Sequence, residues 1–201
     1  MTSTTFIALT GTFVFAVSGT LAGAKRNLDL IGVCFIAFIS ALGGSTIRDM
    51  LIGNYPLSWV ANSNYIVLVI AGVMCALLFK RRLIKIPKMI FIIDSIGIGI
   101  FTIYGVEHCL ALHLSTLISV LFGVISVTAG SVIRDVLCNE IPVILQKDLN
   151  ASAAIIGSSV YVLFLKTGCN GLFFLIIPIA LIAILRLLFY KFKWSLPLIS
   201  L

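Results

Sequence analysis

Apolar residues fill long stretches of this chain, roughly 18 to 24 residues each, separated by short polar segments. A helix rises 1.5 Å per residue, so each stretch can cross the ~30 Å hydrocarbon core of a bilayer. The pattern predicts spans near 5–24, 30–52, 62–80, 88–107, 114–137, 150–166 and 171–190. The fold class expected is an all-α integral membrane protein with seven transmembrane helices. The first span does not read as a signal peptide. Met1 to Thr5 carry no positive charge, and Lys25–Arg26 follow the apolar run instead of preceding it.

Laying residue n over residue n+86 exposes an internal repeat. Gly44-Ser45-x-Ile47-Arg48-Asp49-x-Leu51 falls on Gly130-Ser131-x-Ile133-Arg134-Asp135-x-Leu137. Pro56 falls on Pro142, Gly11 on Gly97, Phe15 on Phe101 and Gly19 on Gly105. Agreement at one offset, in matching hydropathic context, argues against coincidental low complexity. Each repeat holds three spans, an odd number, so the second copy enters the membrane upside down. The expected organisation is 1–86 as the first repeat, 87–169 as the second, inverted repeat, and 170–201 as a seventh helix with a cytoplasmic tail. The seventh helix has no counterpart and reads as an addition for packing or assembly.

The second and fifth spans carry Gly43-Gly44 and Ala129-Gly130 well inside their apolar runs. Glycine costs about 1 kcal/mol relative to alanine in a helix interior and favours bending or unwinding. Unwound backbone at that depth is tolerated only where protein or a water-filled path surrounds it. Breaks at matching places in two inverted halves point to a permeation or binding site. The alternative is close helix packing, the role expected of Gly19 and Gly23. The broken-helix reading is preferred for Gly43-Gly44 and Ala129-Gly130, because a serine and an Arg-Asp pair follow each one.

Composition narrows the class. Hydrophobic residues make up 61% of the chain and charged residues only 10%, too few to cover a water-facing surface. The formal net charge is +7, yet the basic residues sit at span ends and build no face for nucleic acid, which is excluded as a partner. Alternate loops put Lys25, Arg26, Lys80, Arg81, Arg82, Lys85, Lys88, Arg134, Lys147, Arg186, Lys191 and Lys193 on one side, and Arg48 and Lys166 on the other. Twelve against two predicts a cytoplasmic C-terminus and an outer N-terminus. The five cysteines (Cys34, Cys75, Cys109, Cys138, Cys169) form no CxxC pair and read as small packing residues.

Several charges fall within or beside the spans. Arg48 and Arg134 either line a pore or snorkel to water, at opposite membrane faces. Asp94, early in the fourth span, lies at the depth of Arg134 and is its expected partner, with Asp29 the fallback for that arginine. An acid inside a span is a functional candidate by default. The repeat mate of Asp94 is Ala8, so the pseudo-symmetry is broken there. Glu107 shares the depth of Arg48. Glu107 closes the fourth span, and His108 and His113 are expected in the outer loop after it as solvated residues, since the spacing of the three fits no specific metal site. No triad, phosphate loop or paired carboxylates stand out, so neither an enzyme nor a cofactor is expected.

The doubled Gly-Ser-x-Ile-Arg-Asp motif with its following proline resembles a known family. It is similar to bacterial inner-membrane proteins with paired glycine-transporter domains, relatives of the trimeric intracellular cation (TRIC) channels. The resemblance covers the whole chain. It implies a homotrimer with a pore in each subunit, potassium or other monovalent cations as permeant ions, and pore lining by the second and fifth helices. Candidate path residues are Gly43, Gly44, Ser45, Arg48, Ala129, Gly130, Ser131, Arg134 and Asp94. Ala129 departs from the Gly43 pattern and weakens the second break. A cation channel would use carbonyl oxygens and serines at the breaks. A secondary transporter of glycine or a similar zwitterion would use the same breaks, with helix N-termini holding the carboxylate. A purely structural scaffold fits the repeat poorly.

Overall fold

The computed structural model describes residues 3–83, 88–145, 150–167 and 172–194. Lys85, Lys147, Cys169, the repeat boundaries at 86/87 and 169/170 and the tail after Trp194 lie outside the described residues.

The described chain is entirely helical. The helices are α1 (Ser3–Lys25), α2 (Leu30–Ile52), the single turn α3 (Ser58–Ala61), α4 (Asn64–Leu83), α5 (Met89–Ala111), α6 (Thr116–Leu137), α7 (Asn150–Lys166) and α8 (Leu172–Phe192). A 3-10 turn, Val143–Leu145, lies between α6 and α7. Helices α1, α2, α5, α6 and α8 are long and apolar enough to cross a membrane. The apolar stretches of α4 and α7 are shorter, Asn64–Lys80 and Ala151–Lys166.

Helix ends follow local chemistry. Asp29 caps α2 by accepting the Gly32 amide at 2.7 Å, so it is not the partner of an arginine. Gly53 ends α2 in the left-handed region, at φ 71°. Asn27, His113 and Asn139 take the same conformation, at φ 56°, 60° and 54°.

Helices α1 and α5 form the centre. Helix α1 packs on α2, α4 and α5, while α5 packs on α1, α6, α7 and α8. Buried hydroxyls do not need water here. Thr12, Thr20, Ser40, Thr102, Ser126 and Ser158 each donate to the carbonyl four residues back at 2.6–2.9 Å.

Glycines let backbones meet. A Cβ on Gly44 would overlap the Ser126 carbonyl oxygen, and one on Gly130 would lie 2.9 Å from the Gly44 nitrogen and 3.4 Å from the Ser40 oxygen. Helices α2 and α6 therefore touch main chain to main chain. Gly44 faces Ser126 while Gly130 faces Ser40, so the two run in opposite senses at the crossing. Both helices pass through this point without interruption. The expected unwinding at Gly43-Gly44 and Ala129-Gly130 is thus absent. Close packing is what the glycines supply, and it holds the helical hydrogen bonds in place.

Candidate functional site: two buried arginine clusters

Four residues beyond each glycine, α2 and α6 carry an arginine into the protein interior. Arg48 is fully buried and Arg134 is 5% exposed, so neither snorkels to water. Each is fixed first by the aspartate that follows it. Arg48 donates from Nε and Nη2 to Asp49 Oδ1 at 2.9 and 2.7 Å. Arg134 donates from Nε to Asp135 Oδ1 at 2.9 Å, with Nη2 at the same distance. The second oxygen of each aspartate collects the chain after the helix. Asp49 Oδ2 accepts the Ser58 amide at 3.0 Å and its hydroxyl at 2.6 Å, and Asp135 Oδ2 accepts the Val143 amide at 3.1 Å. Buried charges require such pairing.

Beyond that shared core the clusters differ. Arg134 Nη1 donates to Asp94 Oδ1 on α5 at 2.6 Å and to Ser18 Oγ on α1 at 3.4 Å. The other Asp94 oxygen accepts from Arg186 Nη1 on α8 at 3.4 Å, and the Arg186 guanidinium lies 5.1 Å from the Phe91 ring centre. The expected Arg134–Asp94 pair is therefore formed. Arg186, which lies within the predicted seventh span and counts with the cytoplasmic charges, is only 1% exposed. So α8 adds a charge to this cluster as well as packing surface. The sequence signal was an isolated arginine inside the apolar run Leu181 to Leu188.

The cluster around Arg48 meets no aspartate on a neighbouring helix. Its guanidinium stacks 5.1 Å from the centre of the Tyr104 ring, and its Nη1 has no hydrogen-bond partner among the described residues. Ala8, fully buried, occupies the position that repeats Asp94. His108 Nε2 lies 3.6 Å from Asp49 Oδ1 and accepts from Asn54 Nδ2 at 3.1 Å. Glu107 does not reach Arg48; Tyr161 of α7 donates to its Oε1 at 2.6 Å. Glu107 lies in α5 as expected, and because that helix runs on to Ala111, His108 belongs to it too and is not a loop residue. His113 lies just past the helix end. Among the described residues no cluster of three metal ligands occurs.

The arginines meet α5 at Tyr104 and Asp94, ten residues or about 15 Å apart, so they mark opposite ends of that helix. A cavity of about 180 Å³ reaches the Arg134 cluster past Lys25, Phe91, Asp135 and Glu140. Glu140 is ion-paired with Arg26 at its rim. A pocket of about 20 Å³, the size of one water, lies between Asp94, Thr128, Ser131 and Arg186. Ser45 and Ser131 donate to the carbonyls of Leu42 and Thr128, at 3.0 and 2.9 Å, within their own helices. Gly43 and Ala129 are half-buried beside the crossing.

Comparison with known proteins decides the family. The profile described as glycine transporter matches twice, over residues 5–81 and 91–166. The chain belongs to the glycine-transporter domain family. Among members of this family, a UPF0126 membrane protein of Vibrio cholerae is 35% identical over 196 residues, 97% of this chain and 82% of that protein. The UPF0126 inner membrane protein YadS of Escherichia coli (strain K12) is 36% identical over 157 residues, 78% of this chain and 76% of that protein. Solved structures extend the likeness to TRIC channels. A TRIC cation channel whose structure explains conductance matches with a TM-score of 0.84 and 30% identity, covering 100% of this chain and 98% of that one. The trimeric intracellular cation channel orthologue from Rhodobacter sphaeroides matches with a TM-score of 0.89 and 25% identity, covering 96% and 100%. This glycine-transporter family member therefore has the TRIC channel fold.

Proposed function

We propose that this protein is a channel for small monovalent cations, potassium among them, in the bacterial inner membrane. The observation that carries the reading is the whole-chain likeness to solved TRIC cation channels. It acts as a conduit, with no chemistry on the permeant ion. The assembly is a homotrimer, as the description of the Rhodobacter orthologue as trimeric supports. A path lies within each subunit along α2 and α6, bordered by Gly43, Gly44, Ser45, Arg48, Ala129, Gly130, Ser131, Arg134 and Asp94.

Charge balance supports cations over anions. Arg134 and Arg186 stand against Asp94 and Asp135, and Arg48 stands against Asp49. Arginines neutralised in this way do not bar a cation from the path. Since α2 and α6 are unbroken, the path runs beside the Gly44–Gly130 crossing and not through unwound backbone.

Seven membrane spans in two inverted repeats, 1–86 and 87–169, followed by 170–201, complete the reading. The repeat is supported by reciprocal contacts between the halves. A Cβ on Gly11 would meet the Phe101 ring at 2.9 Å, and one on Gly97 the Phe15 ring at 3.2 Å. Gly19 lies against Ser40 as Gly105 lies against Ser126. The N-terminus is outside and the C-terminus cytoplasmic. Setting aside the buried Arg48, Arg134 and Arg186 leaves ten basic residues against one, still a positive-inside division.

A carrier of glycine or a similar zwitterion is the second reading, favoured by the description of the family. Purified protein in a planar bilayer separates the two. Unitary current steps carried by potassium support the channel; saturable glycine uptake without such steps supports the carrier.

A further inference from the structure

The two charge clusters are unequal in a way that the path alone does not use. Around Arg134 two guanidinium groups meet two carboxylates. At the other end of α5, Arg48 is matched by Asp49, and Glu107 is an additional acid for which no ion pair is found among the described residues. Tyr161 holds Glu107 Oε1 at 2.6 Å, while Oε2 is buried and has no hydrogen-bond partner among the described residues.

A carboxylate oxygen removed from water needs a donor, a proton or a cation. Glu107 borders a cavity of about 140 Å³, lined also by Thr5, Tyr104, His108 and Ala111. A water takes ~30 Å³ of liquid, so this space holds a small ion with part of its hydration shell. Among the described residues the rest of the lining carries no acid, so Glu107 is the acid there to attract an ion. Asp49 is spent on Arg48 and Ser58 and does not compete for it.

We propose that this cavity is a monovalent-cation site at the end of α5 that bears Arg48, with the Glu107 carboxylate as its charged ligand and Tyr161 fixing that group. The proposal rests on the cation-channel reading and gives that channel a station on its outer side. An ion there would sit close to α1, α5 and α7 together, because Thr5, Glu107 and Tyr161 come from those three helices.

The test reads binding and conduction separately. Thermal unfolding of the purified protein is followed in potassium chloride against N-methyl-D-glucamine chloride at constant ionic strength, beside single-channel conductance as a function of potassium. The wild type should show a saturable, potassium-specific rise in melting temperature. Glu107→Gln should raise the half-saturating potassium concentration by about tenfold or more, the size of one lost charged contact. Tyr161→Phe, which keeps the charge and frees the carboxylate, should show a smaller shift of the same sign. It also serves if Glu107→Gln does not fold. A potassium-specific rise that Glu107→Gln abolishes supports the site even if no currents are seen, in which case only the channel reading fails. Absence of that rise in the wild type, or the same potassium dependence in both variants, overturns the site and leaves any conduction standing.

Discussion

Arg134 Nη1 and Asp94 Oδ1 lie 2.6 Å apart inside the protein, joining α6 to α5, while the second oxygen of Asp94 faces Arg186 of α8. One carboxylate thus holds three helices together. Removing one partner of a buried pair costs about 3–5 kcal/mol, because the other charge is left uncompensated. Asp94→Asn should therefore lower stability in detergent severely, leaving two buried guanidinium groups with Asp135 alone. Asp94→Asn with Arg134→Gln should be less damaging than the sum of the two single changes. A double-mutant cycle followed by thermal unfolding measures this, and independent effects would contradict the pair.

Arg186 should tolerate no apolar replacement and only partial replacement by lysine. Lysine keeps the charge for Asp94 but loses the planar stacking on Phe91. The expected order of stability is wild type, then Arg186→Lys, then Arg186→Leu, by the same unfolding measurement.

The glycines make a sharper distinction between packing and unwinding. Gly43 has room: a Cβ there would lie 3.5 Å from Ile39 and 3.8 Å from Gly130, so Gly43→Ala should be close to neutral. Gly44→Ala would drive a methyl into the Ser126 carbonyl. Forced overpacking of this kind costs about 1–3 kcal/mol. Gly130→Ala should behave like Gly44→Ala, since its Cβ would meet the Gly44 nitrogen. Size-exclusion chromatography and ion flux in proteoliposomes from the same preparations check the order. Gly44→Ala protein with wild-type stability would show that the helices do not touch there.

Orientation is read by labelling single cysteines in a cysteine-free background. Ser63 and Asn139 are both exposed, between α3 and α4 and after α6. Ser63→Cys should react with impermeant reagent added to intact cells, and Asn139→Cys only after the membrane is opened. The reverse pattern would overturn the proposed topology.

Much of the fold is legible in the chain because lipid imposes a simple rule: an apolar stretch becomes a helix of its own length. The window at 30–52 is α2, and 150–166 is α7. The ends are less legible where polar residues stay helical. Helix α5 continues past Glu107 through His108 to Ala111, and the Asn54 hydrogen bond to His108 is a tertiary fact with no local signal. In the candidate site, the Arg134–Asp94 pair could be argued from depth alone. The adjacent aspartates could not be seen as the arginines' main partners, since neighbours in sequence point to different sides of a helix unless long side chains fold back. The glycine pairs read as breaks in preference to contacts; which one applies depends on the facing helix, and here that is the backbone of Ser126 and Gly130.

That bare backbone contact has a mechanical consequence. Gly44 and Gly130 stand four residues before Arg48 and Arg134, on helices that run in opposite senses. The contact is therefore a fulcrum, with one arm of about 6 Å leading to each arginine. Rocking moves the two arms oppositely: spreading α2 and α6 at one arginine closes them at the other. Both arginines also meet α5, Arg48 at Tyr104 and Arg134 at Asp94, so that one helix spans the two arms of the lever.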